Sequence, residues 1–199
     1  MTRTVTTGFT LVLVLAVSSA FAGVNIGIAK QSVHILPHDS RTCADNFPVI
    51  NGCEDIITTQ PGTEVDIFPV FFDLVEYQGL VYSITWSGIY SCAFTSCSDN
   101  TIGDIVWQYD GISHSWDTCQ PGAVAIPGWG SLQNASGMIC VVYHPAAGGP
   151  DVIDCSGERD YACGFCSGVG GYIGDDPCEP CEPVATNRGT WSNLKALFR

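Results

Sequence analysis

Positive charge is scarce in this chain. Its 199 residues carry seven Lys and Arg against twenty Asp and Glu, a formal net charge of −13. Such an acidic surface repels phosphate backbones and anionic headgroups, so nucleic acid is not expected as a partner. Long apolar runs are missing beyond the first 22 residues. A membrane-spanning helix needs about 20 apolar residues, so no transmembrane segment is expected. Familiar chemical signatures are missing too. His34, His38, His114 and His144 form no His-x-Glu-x-x-His spacing, and Pro37 keeps His34 and His38 off a shared helical face. There is no Gly-x-Ser-x-Gly elbow and no EF-hand loop. No enzyme activity and no cofactor are therefore expected, although the many carboxylates could hold Ca²⁺. Acid pairs such as Asp73/Glu76, Asp151/Asp154 and Asp175/Asp176 read as solvated. A glycosidase needs two carboxylates held across a cleft, so a secreted hydrolase using such residues stays as an alternative.

What is present starts with an address. The chain opens "MTRTVTTGFTLVLVLAVSSAFAG". Arg3 and the free amine make a positive start, residues 9–17 are apolar, and Ala20-Phe21-Ala22 is a small-x-small site. That is the pattern of a secretory signal peptide over residues 1–22, too short in its apolar part to anchor. The mature chain is expected to be secreted or held at the cell surface, extracellular or periplasmic.

All eleven cysteines lie beyond the cleavage site. In an oxidising compartment they are expected to pair. If "GMICVVYH" and "PDVIDC" form a hairpin about the turn-rich "PAAGGP", Cys140 lies opposite Cys155, within disulfide reach. Cys43 with Cys53 and Cys97 with Cys119 are the next expected pairs. The odd count leaves at least one thiol free or bound to another chain. Two Cys-x-x-Cys pairs, Cys163/Cys166 and Cys178/Cys181, offer a structural zinc site as the alternative. Three observations favour disulfides over zinc there: export, the short gap between the pairs, and the stiffening by Pro177, Pro180 and Pro183.

The body reads as β throughout. Short segments rich in Val, Ile, Tyr, Phe and Trp, such as "SVHIL", "EVDIFPVFFDLV", "LVYSITW", "ISHSWDT" and "GMICVVYH", alternate with turn residues. Twenty-two Gly and eleven Pro punctuate them. In "VYSITW", Val81, Ser83 and Thr85 oppose Tyr82, Ile84 and Trp86. The expectation is an all-β fold: a disulfide-stapled antiparallel β-sandwich, jelly-roll or immunoglobulin-like, over residues 23–163. Residues 164–189 are poor in apolar side chains and read as a Gly/Pro/Cys-rich linker. "TWSNLKALFR", 190–199, reads as a short amphipathic helix with Trp191, Leu194, Leu197 and Phe198 on one face. Ten residues are too few for an isolated helix, so this face needs something to dock on, its own domain or a protein partner, including self-assembly. Of the five Trp, Trp86 and Trp107 belong to strand patterns and to the core. Trp116 and Trp129 lie near turns, where an exposed indole can stack on a sugar ring. A glycan is therefore the alternative ligand.

The signal peptide, "DIFPVFFDLVEYQGLVYSITW", the later Gly- and Cys-spaced strands and the "TWSNLKALFR" terminus together resemble secreted bacterial proteins of about this length. Many of those end in a Thr-Trp-Gly-x-Ile-Lys tail, where this chain has Ser192 and Leu194. That resemblance implies an exported β-sandwich with a C-terminal docking tail and brings no catalytic motif. The body is also broadly similar to cohesin-type surface modules. The functional expectation is a non-catalytic extracellular module, a surface, matrix or filament component. A carbohydrate-binding module is the first alternative.

Overall fold

The computed structural model describes residues 29–86, 92–103, 110–147 and 149–181. The expected signal peptide, Trp107 and the expected tail helix lie outside the described residues.

The described chain is nearly all β. In order it forms β1 (Lys30–Pro37), β2 (Thr59–Gln60), β3 (Val65–Phe72), β4 (Glu76–Trp86), β5 (Cys92–Ser96), β6 (Asn100–Gly103) and β7 (Gly111–Pro121). It continues with β8 (Val124–Ala125), β9 (Gly128–Leu132), β10 (Gly137–Val142), β11 (Asp151–Ile153), β12 (Arg159–Tyr161), β13 (Cys163–Gly164) and β14 (Ser167–Val169). One 3₁₀ turn, Cys53–Asp55, interrupts the strands.

Two sheets result. The first runs β13-β1-β3-β9-β5, with β8 also on β3; the second runs β12-β11-β4-β10-β14-β2, with β7 on β4 and β6 on β7. Both are mixed, because β13 joins β1 in parallel and β2 joins β14 in parallel. This corrects the expectation of purely antiparallel pairing. The parallel contacts come from the late segment 163–169, which returns to ladders begun near the start of the chain.

One core lies between the sheets. Val33 and Ile35 of β1, Ile67 and Phe71 of β3, and Leu80, Tyr82, Ile84 and Trp86 of β4 share it. The alternation expected in "VYSITW" is the one observed. Strand β3 is unusual because all eight of its residues are buried. Its alternate residues Phe68, Val70 and Phe72 point away from the shared core into a second cluster with Ile50 and Ile56. Each large apolar side chain so covered contributes about 1.5–3 kcal/mol. Pro69 sits mid-strand, where a missing N–H would normally break a ladder. There β3 changes partner on one edge, from β9 at Val65–Ile67 to β8 at Phe71–Phe72.

The outer cluster is covered by residues 38–58, a segment with almost no regular structure. Asp66, fully buried on the same face of β3, anchors it. Arg41 Nε donates to Asp66 Oδ2 at 2.7 Å, the Asp39 N–H at 3.1 Å, and Ser131 Oγ to Oδ1 at 2.7 Å. His38 Nδ1 lies 2.8 Å from Oδ1. Arg41 also donates to the carbonyls of Asn46 and Pro37. Its guanidinium sits 5.7 Å from the centre of the Phe68 ring, a cation–π contact. The far end of the cover is held where the Ile57 N–H donates to His34 Nδ1 at 3.0 Å.

Five disulfides join Cys43 to Cys97, Cys53 to Cys178, Cys119 to Cys155, Cys140 to Cys166, and Cys163 to Cys181. The expected pairs Cys140–Cys155, Cys43–Cys53 and Cys97–Cys119 are not the pairs formed. The reason for the first is clear in the register. Strands β10 and β11 do not pair with each other. Both pair antiparallel with β4, β10 along Ser83–Trp86 and β11 along Gly79–Val81. The "PAAGGP" loop therefore breaks one continuous edge instead of turning a hairpin, and Cys140 and Cys155 lie far apart along it. The expected linker is corrected as well. Residues 164–181 are built into the fold: β14 lies between β10 and β2, and Cys166, Cys178 and Cys181 are bridged to the body.

Two outcomes test this architecture. Peptide mapping without reduction should recover Cys140 linked to Cys166 and Cys53 linked to Cys178; a Cys140–Cys155 peptide would refute the in-line placement of β10 and β11. Arg41→Ala leaves the Asp66 carboxylate buried without its cation and should cost about 3–5 kcal/mol, read from denaturant midpoints with the disulfides intact.

Candidate functional site

The chain passes from one sheet to the other in a single step. Tyr161 ends β12 in the second sheet, Ala162 is buried, and Cys163 begins β13 in the first. A cleft of about 280 Å³ opens beside this crossing, near the small end of the range for ligand cavities, about 300–1,000 Å³. Gln31 of β1 and Gly164 of β13 line one side, and Val141, Val142 and the Cys140–Cys166 bridge line another. Gln31 is 2% exposed. Its Nε2 donates to the Val141 carbonyl at 3.2 Å, which fixes the amide's orientation and leaves Oε1 with no hydrogen-bond partner. At the rim stand Tyr143, 62% exposed, and Tyr161, 43% exposed. Their rings are 6.3 Å apart and tilted by 39°. The Tyr161 phenol is pushed above its ordinary pKa, first by burial and then by Tyr143. Asp151, behind it, pairs with Arg159. Burial raises the Asp151 pKa, and Arg159 offsets only part of that rise.

The tryptophans expected to stack on a ligand sit elsewhere. Trp116 is half-buried and packs edge-on against Tyr77, centroids 5.0 Å apart. Trp129 is half-buried against the outer cluster around Phe68, with its indole N–H buried. Both are engaged in packing. The exposed aromatic pair is made of tyrosines, and its sequence signal was weak: Tyr143 borders the turn-rich loop, but Tyr161 comes beside it only through the sheet-to-sheet crossing.

Cys163, Cys166, Cys178 and Cys181 enter three separate bridges, so their sulfurs are not thiolates gathered for zinc. Two further groups bring a carboxylate near paired sulfurs, Glu54 beside Cys53/Cys178 and Glu76 beside Cys119/Cys155. With the sulfurs oxidised, each offers a metal one carboxylate.

One cluster brings hydroxyls to an imidazole. His114 Nδ1 lies 2.9 Å from Ser98 Oγ and 3.2 Å from Ser96 Oγ, while Nε2 lies 3.0 Å from the Tyr82 hydroxyl. Burial lowers the His114 pKa to about 4. A serine nucleophile needs a base that becomes imidazolium and a partner that stabilises that charge. Here the ring is buried and a phenol, not a carboxylate, stands behind it. The arrangement is suited to tying β5, β6 and β7 to β4. The acid pairs are likewise committed locally. Asp73 pairs with Lys30 at 3.3 Å, Asp154 accepts from the Ser156 and Glu158 N–H groups, and Asp175 and Asp176 accept from the N–H groups of Cys166 and Cys178.

Comparison with protein-family models, curated proteins and solved structures finds no match to this chain. No helix among the described residues is long and apolar enough to cross a membrane.

The buried imidazoles set a pH dependence. The His34 pKa is lowered to about 4, first by burial and then by Arg41, and His114 matches it through burial. Between that value and the ordinary His value of about 6.5, the unfolded chain binds more protons, so stability falls as pH drops from about 6.5 to 4. Asp66 adds a loss at lower pH. Burial would raise its pKa, but bonds from His38, Ser131 and Arg41 outweigh this and depress it. Its contribution is complete above the unfolded carboxylate value and is lost as pH falls through the folded one. His38 works in the opposite sense. Its pKa is raised by the Asp66 hydrogen bond, so its contribution is present below about 6.5 and lost as pH rises, but it is exposed and weakly coupled. The melting temperature should therefore decline on acidification below about pH 6.5. His34→Asn, which keeps an acceptor for the Ile57 N–H but cannot protonate, should flatten that decline; an unchanged slope would place the titration elsewhere.

Proposed function

We propose that this chain is an exported β-sandwich that works outside the cytoplasm as a non-catalytic surface, matrix or filament component. The observation that carries this reading is the set of five bridges. They close separations from 18 to 125 residues, and two of them, Cys43–Cys97 and Cys53–Cys178, pin the irregular cover that keeps water from the outer face of β3. In the chain-entropy account, closing a loop of about 100 residues stabilises by about 4–5 kcal/mol. A fold that depends on such closures suits an oxidising compartment, as the N-terminal 1–22 pattern requires. The acidic surface suits a soluble extracellular setting. Against the alternative of a carboxylate hydrolase stands the local use of Asp73, Asp151, Asp154, Asp175 and Asp176 as ion-pair and turn partners.

The tail extends the reading. The last described residue, Cys181, is bridged to Cys163 at the edge of the first sheet. With Trp191, Leu194, Leu197 and Phe198 on one helical face, 190–199 is a docking element for a protein partner or a second copy. The full chain and a form ending at residue 188 should be produced with the native signal and followed by cell fractionation, thiol titration and thermal unfolding. Both should emerge oxidised and equally stable, with only the full chain retained at the surface or in an assembly. A truncation that melts much lower, yet reaches the same location, would show that the tail only completes its own domain. A chain that stays inside the cell with free thiols would overturn the extracellular reading.

A further inference from the structure

We infer that the cleft between Tyr143, Tyr161 and Gln31 is a binding site for a neutral saccharide, taking one terminal hexose or hexosamine ring. Three observations carry this. First, two tyrosines are exposed side by side at the rim, 62% and 43%, with ring centroids 6.3 Å apart. A pair of phenols offers flat apolar faces for the C–H side of a sugar ring and hydroxyls for its edge. Second, Gln31 lines the cleft and is 2% exposed, and its Oε1 has no partner. A buried acceptor left unmade is costly, so a site that keeps one gains when a ligand supplies an O–H or N–H. A sugar hydroxyl or acetamido N–H is that donor. Third, the size and charge are right. About 280 Å³ holds a ring, not a folded partner. The charged residues beside the cleft, Asp151 and Arg159, are paired with each other, so neither a carboxylate nor a phosphate finds a free counter-charge there.

The walls make the site rigid. Gln31 is held by the Val141 carbonyl, and Gly164 presses so close to the Gln31 amide that a Cβ would collide with it. The Cys140–Cys166 bridge locks β10 to the segment entering β14. Sugar recognition of this kind is preformed and shallow, which gives modest affinity per site. This deepens the extracellular reading by naming a ligand class, and the two can fail separately. Loss of sugar binding leaves export and oxidation intact, whereas a reduced, retained chain would undo the setting in which the sugar is met.

The test uses the full-length oxidised protein, titrated with cellohexaose, chitohexaose, xylohexaose and mannohexaose by calorimetry and by ¹H–¹⁵N shifts. At least one should bind, with shifts centred on residues 141–143 and 161–164. Tyr143→Ala and Tyr161→Ala should each weaken binding by about tenfold or more with the melting temperature unchanged, because both side chains are exposed. Tyr143→Phe should retain most of the affinity, and Gln31→Leu should lose it. Absence of binding to all four at millimolar concentration, binding unaffected by either alanine variant, or preferential binding of a Pro-rich peptide at the same tyrosines would overturn the proposal.

Discussion

Asp66 has no exposed surface and still carries a carboxylate, and the outer half of the molecule is arranged around it. Strand β3 is apolar on both faces. One face meets the second sheet, and the other needs a lid that the chain supplies as an irregular segment. Such a segment has few ladder hydrogen bonds of its own, so its position must come from side chains. Arg41, His38, Ser131 and the Asp39 N–H all converge on Asp66. Taking the charge out of water is costly, and these partners are what make it tolerable. Phe68, Val70 and Phe72 stay dry as a result.

The disulfides complete what Asp66 begins. Cys43–Cys97 and Cys53–Cys178 tie the lid to distant parts of the chain, while Cys140–Cys166 and Cys163–Cys181 hold the late segment against β10 and β13. That late segment also closes the passage between the sheets, and the tyrosine-rimmed cleft lies beside it. The same crossing that stabilises the edge of the fold therefore also shapes the cleft proposed to take a ligand. The polar chemistry elsewhere is bound up in support, with His34 and His114 kept neutral by burial and Asp154, Asp175 and Asp176 accepting from backbone N–H groups.

Much of the strand content was legible. Alternation in "VYSITW" placed Tyr82, Ile84 and Trp86 on one face because a pleated strand has a strict period of two. The Val/Ile/Phe-rich "VDIFPVFF" read as a strand, but its burial on both faces came only with the fold. The cysteine pairing was not legible. Cys140 and Cys155 flank a loop that looks like a turn, but local sequence does not reveal that both flanking strands lie along one edge of β4. Residues 164–181 read as a linker because their few apolar side chains carry no period, yet backbone ladders and three cysteines hold them in place. Large indoles drew attention as ligand platforms, whereas Trp116 and Trp129 met neighbouring aromatic and aliphatic surface and became packing.

Composition and short-range pattern by themselves determined the β character, the acidic surface, the expected export and the presence of many disulfides, since each depends on residue type and local spacing. Tertiary structure alone decided which cysteines meet, which face of β3 needs a lid, that Asp66 is its anchor, and that Tyr143, Tyr161 and Gln31 share a cleft. Those depend on contacts between residues far apart in the chain, and the sheet order that brings them together is not encoded in any single segment.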